Sequence, residues 1–244
     1  MTLSKTIIAA SLGIFLAGNA LAVTNGNFAQ SPALTGWTIL GDAARNFGGA
    51  VLTTASFDYE DDFPDAAGTY NISGNAAAMV GVLGGVEQFA GLALGALDLN
   101  GNTAYEGSVI KQSFTVAAGD KLSFDWNFYT NEPLDNRLPD FAFVSIGGNL
   151  QTLAFAADAT LASVPFDWTT GASTGTQGFT YTFMEAGTTT LAIGVVDAND
   201  FNMTSAVWID NVTITPVPEP ENYAMLLAGL GLMGLIARRR NQAA

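Results

Sequence analysis

The 244-residue chain contains neither histidine nor cysteine. Without histidine there is no Ser-His-Asp triad, and without cysteine there is no thiol nucleophile and no disulfide. The two absences together remove the ordinary zinc and copper ligand sets. Positive charge is also scarce, with 8 Lys and Arg against 22 Asp and Glu, a formal net charge of −14. Nucleic acid and anionic membrane surfaces are disfavoured as partners, because phosphate binding needs clustered basic side chains. Long apolar runs are missing too, and the two that exist lie at the chain ends.

Those ends read as addresses rather than as parts of a fold. Residues 1–22 carry one basic residue, Lys5, then an apolar stretch from Ile7 to Ala17, and close on Ala20-Leu21-Ala22. Small residues at Ala20 and Ala22 make a signal peptidase site, so the segment is a secretory signal. Residues 216–244 hold Pro218-Glu219-Pro220, an apolar run from Tyr223 to Ala237, and Arg238, Arg239 and Arg240. A proline–acid–proline triplet, one short hydrophobic segment and a terminal basic cluster resemble the PEP-CTERM sorting tail. The resemblance implies a Gram-negative host and processing by an exosortase, a membrane-bound cysteine transpeptidase. It also implies a transient inner-membrane anchor and delivery to the cell envelope, surface or extracellular matrix. The fifteen residues from Tyr223 to Ala237 are fewer than the ~20 of a comfortable span, and the arginines keep the C-terminus cytoplasmic.

Between the signals, residues 23–215 form one ectodomain. It keeps four basic residues, Arg45, Lys111, Lys121 and Arg137, against twenty acidic ones. That balance suits solubility and divalent cations. Period-two alternation dominates. Ile110, Phe114 and Val116 share one parity, and Leu122, Phe124, Trp126 and Phe128 another, so 110–116 and 122–128 read as a hairpin across Ala118-Gly119-Asp120. A second hairpin spans 141–146 and 150–155. Phe179, Tyr181 and Phe183 alternate with threonines, and Leu191, Ile193 and Val195 face one way. In the last strand, 206–215, the parity of Val207 and Ile209 gives way to that of Val212 and Ile214, which predicts a β-bulge near Asp210-Asn211. A helical pattern appears only at 86–92, read as a short helix capping one end. With no helices between strands, the expected fold is all-β, an antiparallel β-sandwich of jelly-roll type with that short helix and a C-terminal hydrophobic helix.

Two stretches resemble secreted jelly-roll modules. Asn25-Gly26-Asn27-Phe28 followed by Gly36-Trp37-Thr38 resembles their opening, which implies a strand, a loop and a second strand. Ala29 stands where that pattern has an acidic calcium ligand. Trp208-Ile209-Asp210-Asn211-Val212 resembles the last strand of galactose-binding-like and carbohydrate-binding jelly rolls. Asp125 to Glu132 with Asp140-Phe141-Ala142-Phe143 resembles bacterial surface domains of the choice-of-anchor and PEP-CTERM groups.

The sites sought are those of binding. Asn131, Glu132, Asp135, Asp140 and Asp210 offer hard oxygen ligands suited to Ca²⁺. The densest acidic patch, 57–65, is expected to be a solvated loop. Trp168 and Trp208 are candidate stacking platforms for sugar rings, whereas Trp126 lies on a core parity. No residue is marked as catalytic, since twenty acids make chance carboxylate pairs inevitable. The expected function is that of a non-enzymatic surface or matrix protein associated with exopolysaccharide in biofilm or floc. A carbohydrate-binding module is the alternative, and a secreted glycoside hydrolase ranks below it.

Overall fold

The computed structural model describes residues 23–58, 62, 65–132, 139–162, 171–217 and 220–241. Its strands are β1 (Thr38–Leu40), β2 (Asp42–Asn46), β3 (Gly49–Thr53), β4 (Ala78–Met79), β5 (Ala104–Val116), β6 (Lys121–Thr130), β7 (Phe141–Ile146), β8 (Asn149–Phe155), β9 (Ala172–Ser173), β10 (Gln177–Thr182), β11 (Gly187–Ala198) and β12 (Ser205–Thr215). One sheet has the order β1-β5-β11-β7-β8, with β4 beside β5. The other has the order β10-β6-β12-β3-β2, with β9 beside β6. The eight principal strands therefore stack as β5-β11-β7-β8 over β3-β12-β6-β10, the jelly-roll order of two Greek keys.

The core lies between the sheets. Ile110, Phe114, Ile193 and Val195 of the first sheet meet Leu52, Phe124, Phe128 and Ile209 of the second. Each set follows the alternation of its strand, which places every second residue on the inner face. The bulge in β12 falls where the parity change requires it, with a register shift between Asp210 and Thr213. Asn211 adopts φ 55° there, and its Nδ2 donates to the Asp125 carboxylate at 2.8 Å. The extra residue returns Val212 to the core.

Three local expectations are corrected. Segments 110–116 and 122–128 do not form a hairpin. Strand β5 pairs with β11 and β1, while β6 pairs with β10 and β12 in the opposite sheet. The turn between them is an arch, closed by the Ala117 N–H donating to the Asp120 carboxylate at 2.8 Å. Alternation reports which face is apolar, and strands side by side or face to face satisfy it equally. The helix at Val86–Phe89 covers the outer face of the first sheet rather than an end, with Val86, Leu92 and Leu97 packed on Phe141, Phe143 and Val196. Its buried Glu87 accepts from the Leu97 and Gly81 N–H groups at 3.1 and 3.2 Å. The hairpin of β7 and β8 forms as expected, with one bulge at Ala142/Phe143.

Asn25-Gly26-Asn27-Phe28 is a tight turn, not a strand, closed by the Phe28 N–H donating to the Asn25 carbonyl at 3.1 Å. The turn drives Phe28 fully into the core, 5.4 Å from the Trp37 ring. It also clasps the β12 bulge, because the Val212 N–H donates to the Gly26 carbonyl at 2.9 Å. A Cβ on Gly26 would fall 1.9 Å from the Val212 carbonyl oxygen. We expect Gly26→Ala to destabilise the domain by about 2 kcal/mol, the scale of core overpacking. Gly178→Ala, on an edge strand with nothing within 4 Å of its Cβ position, is the control and should be neutral or slightly stabilising. Urea unfolding of both variants checks the pair.

Candidate functional site

The inward face of the sandwich is apolar along most of its length and turns acidic at one pole. There β5, β7 and β12 begin, while β6 and β11 end. Asp197 continues the inward parity of Leu191, Ile193 and Val195, and its cross-strand partner on β5 is Glu106. Asp140 precedes β7 on the parity of Ala142. On the second sheet Glu132 follows β6. Asp140, Asp197, Glu132 and Glu106 are 0, 1, 2 and 6% exposed.

Asp140 joins the two sheets. Its carboxylate accepts from the Ala198 N–H at 3.1 Å in the first sheet and from the Ser205 hydroxyl at 2.7 Å in the second. Ser205 Oγ is 3.0 Å from Thr130 Oγ1. The Thr130 hydroxyl also accepts from the Glu132 N–H at 3.1 Å, and the Asn131 N–H donates to the Thr204 carbonyl at 3.0 Å. These bonds hold Asn131, Glu132 and Asp140 at one pole.

Burial is the main cause of the electrostatics there. It pushes the Asp140 carboxyl up to about 7, against the bonds from Ser205 and Ala198, which favour ionisation. Burial also raises Asp197 well above the usual carboxylate range, and the negative charges of Asp140, Asp200 and Glu106 raise it further. Asp197 and Asp140 share a side-chain hydrogen bond, which together with burial favours the protonated form of Asp197. The other Asp197 oxygen, Oδ1, is buried with no hydrogen-bond partner among the described residues. An oxygen-only donor set of this kind fits a hard cation such as Ca²⁺ and disfavours zinc or copper. Among the described residues no three acidic groups are gathered closely enough to hold an ion as they stand.

The expected site residues separate. Asn131, Glu132 and Asp140 come together, whereas Asp210 does not join them. It lies five residues along β12 from Ser205, about 17 Å at the rise of a strand. Asp135, in segment 133–138, lies outside the described residues. Asp197 and Glu106 were missed, although the inward parity of Asp197 was readable from Leu191, Ile193 and Val195. Trp208 is half-buried on the outer face of the second sheet, packed on the cluster of Val51, Tyr70 and Tyr129. Its Nε1 is enclosed, so the ring is not an open platform. Trp168 lies outside the described residues. In the acidic patch, Asp62 is buried rather than solvated and accepts from the Thr69 and Tyr70 N–H groups at 2.9 and 3.2 Å. It organises the loop that covers Val51 and Tyr129.

At the other pole the chain leaves β12 for the tail. The Val217 N–H donates to the Asp120 carboxylate at 3.3 Å. Pro218 and Glu219 lie outside the described residues, as do Ala20 and Ala22. Pro220 opens a helix, Pro220–Asn241, which carries Arg238, Arg239 and Arg240 in its last turn. Among the described residues no helix is long and apolar enough to cross a membrane.

Residues 216–240 match the PEP-CTERM protein-sorting motif. The chain thus carries a sorting signal for export to the cell envelope or surface, with processing by an exosortase, attached to a jelly-roll ectodomain. No curated protein matches the chain. Among solved structures it is similar to a family 61 carbohydrate-binding module in complex with β-1,4-galactotriose, at 10% identity over 47% of this chain and 70% of that one, with a TM-score of 0.29. It is also similar to a family 35 carbohydrate-binding module from an environmental isolate, at 12% identity over 75% of this chain and 99% of that one, with a TM-score of 0.28. Likeness at these scores carries no argument about ligand or site.

The raised carboxyls set a direction for pH dependence. A carboxyl held above its unfolded value binds more protons in the folded state, so stability falls as pH rises. The loss begins near the ordinary Asp value of 3.8 and is complete above the folded value of about 7. It amounts to a few kcal/mol, at about 1.4 kcal/mol per pH unit of displacement. Thermal melts in chelator should therefore show Tm falling between about pH 4 and pH 8. Asp197→Asn should flatten that fall and raise Tm at pH 8, because it removes one charge of the pair.

Proposed function

We propose that this is an exported surface or extracellular-matrix protein, sorted by an exosortase and non-enzymatic, whose ectodomain contributes to exopolysaccharide structure in biofilm or floc. The observation that carries the reading is the sorting motif at residues 216–240. Support for a non-enzymatic role comes from the absence of His and Cys and from the burial of the carboxylates at the acidic pole, which a substrate does not reach. The tail acts as a transient inner-membrane anchor, and its short apolar run suits release better than permanent residence.

Ca²⁺ is the cofactor this reading assigns to the acidic pole, where Asp140 and Asp197 are the paired carboxylates and Glu132, Glu106 and Asn131 lie nearby. Gathering three carboxylates on one ion there requires the pole to rearrange. Bound there, the ion would neutralise carboxylates that otherwise repel and would meet the unpartnered oxygen of Asp197. Carbohydrate binding is the second reading, favoured by an aromatic-floored cleft at the opposite pole.

Sorting is tested by replacing Pro218 and Pro220 together with alanine in a host that expresses an exosortase. The variant should be lost from the cell exterior and collect as an unprocessed, membrane-associated precursor. An unchanged distribution on fractionation would remove the reading. For the cation, melts at pH 7.5 in millimolar CaCl₂ and in chelator should differ, since a ligand of the folded state alone raises stability by RT ln(1 + [L]/Kd), about 2.7 kcal/mol at a hundredfold excess over Kd. Asp197→Asn should abolish the difference and Asp210→Asn should keep it. Equal melting with and without Ca²⁺ would rule out the site.

A further inference from the structure

The pole opposite the carboxylates holds a cleft of about 330 Å³ between the ends of β5, β7 and β11, the turn from β7 to β8, and the segment joining β10 to β11. Its volume lies at the lower end of the range for small-molecule sites. Buried Ile146 and Phe183 form the floor. Half-buried Tyr181 forms a wall, edge-on to Phe183 with ring centroids 5.1 Å apart. Met184 stands at the lip, 82% exposed. Asn149, Glu185 and Thr189 complete the lining.

Three polar groups of this lining are uncommitted. The Tyr181 hydroxyl, the Glu185 carboxylate and the Thr189 hydroxyl make no hydrogen bond among the described residues. Asn149 uses its Nδ2 toward the Ile146 carbonyl at 3.2 Å and keeps its side-chain oxygen free. An apolar floor, one partly buried aromatic ring and a rim of free donors and acceptors match the chemistry of a pyranose. Such a ring offers a C–H face to an aromatic surface and hydroxyls at its edge. The charge of the rim narrows the class further. Glu185 is the charged group of the lining and the chain carries a net charge of −14, so a uronate or sulfated sugar would be repelled.

We propose that this cleft is a seat for a neutral hexopyranose segment, with the sugar ring against Tyr181 and its hydroxyls on Asn149, Glu185 and Thr189. The assignment rests on the carbohydrate-binding reading and places the ligand away from the tryptophans.

The full chain, titrated calorimetrically with gluco-, galacto- and manno-configured neutral trisaccharides and with a trigalacturonate, tests both levels. Binding of at least one neutral trisaccharide is expected, with none of the trigalacturonate. Tyr181→Ala should weaken that binding about tenfold or more, the scale of losing one well-used aromatic contact. Thr189→Val should weaken it a few-fold, and Tyr181→Phe should fall between Tyr181→Ala and the parent. Neutral binding that neither Tyr181→Phe nor Thr189→Val changes would overturn the cleft and leave the carbohydrate reading standing. Equal binding of trigalacturonate would overturn the neutral class. No binding by any member of the panel would overturn both. Near-ultraviolet circular dichroism confirms folding, and the two conservative variants decide the matter if Tyr181→Ala does not fold.

Discussion

Everything in this ectodomain depends on two sheets sharing one inner surface. Every strand must present its alternate residues to that surface, and a slip of one position would expose the whole set. The β12 bulge exists because Val207 and Ile209 are followed by Val212 and Ile214, and only an extra residue keeps all four on the correct side. The N-terminal turn exists to seal that irregularity. It places Phe28 in the core and bonds Gly26 to Val212 on the way. A local defect in the pattern is thus covered by a segment nearly two hundred residues earlier.

The same alternation explains the acidic pole. Asp140, Asp197 and Glu106 occupy inward positions where hydrophobic residues would ordinarily continue. Their burial costs free energy and raises the carboxyls, and hydrogen bonds from Ser205 and Ala198 to Asp140 offset part of that cost. Lys111 and Lys121 do not help. Lys111 Nζ donates to the Phe89 carbonyl at 2.9 Å, and Lys121 begins β6 at the far pole. Charge of one sign, buried at one place, is the least economical feature of the fold. Hydrophobic residues of similar volume at those positions would be expected to give a more stable domain.

Much of this was legible in the sequence. Alternation placed most strands, the β7–β8 hairpin and the β12 bulge, and turn residues placed the corners. Pairing was less legible, as the arch between β5 and β6 shows, because the turn at Gly119-Asp120 serves a hairpin or an arch equally well. The acidic pole was half read. Asn131, Glu132 and Asp140 stood out as loop acids and amides. Asp197 passed unnoticed inside a strand, although its parity matched three core residues. Asp210 was drawn in by resemblance to a last-strand pattern, and its strand carries it away from the pole. The parity of Trp208, opposite to Val207 and Ile209, does place it on the outer face, but there it packs against Val51, Tyr70 and Tyr129. Tyr181 was read as one aromatic in an alternating strand, and its only partial burial against the core is not set by alternation.

The bond between Val217 and Asp120 fixes the chain just beyond β12 against the arch between β5 and β6. The eleven residues of β12 run about 35 Å from the acidic pole to the tail. The sorting motif and the buried carboxylates therefore lie at opposite ends of the sandwich.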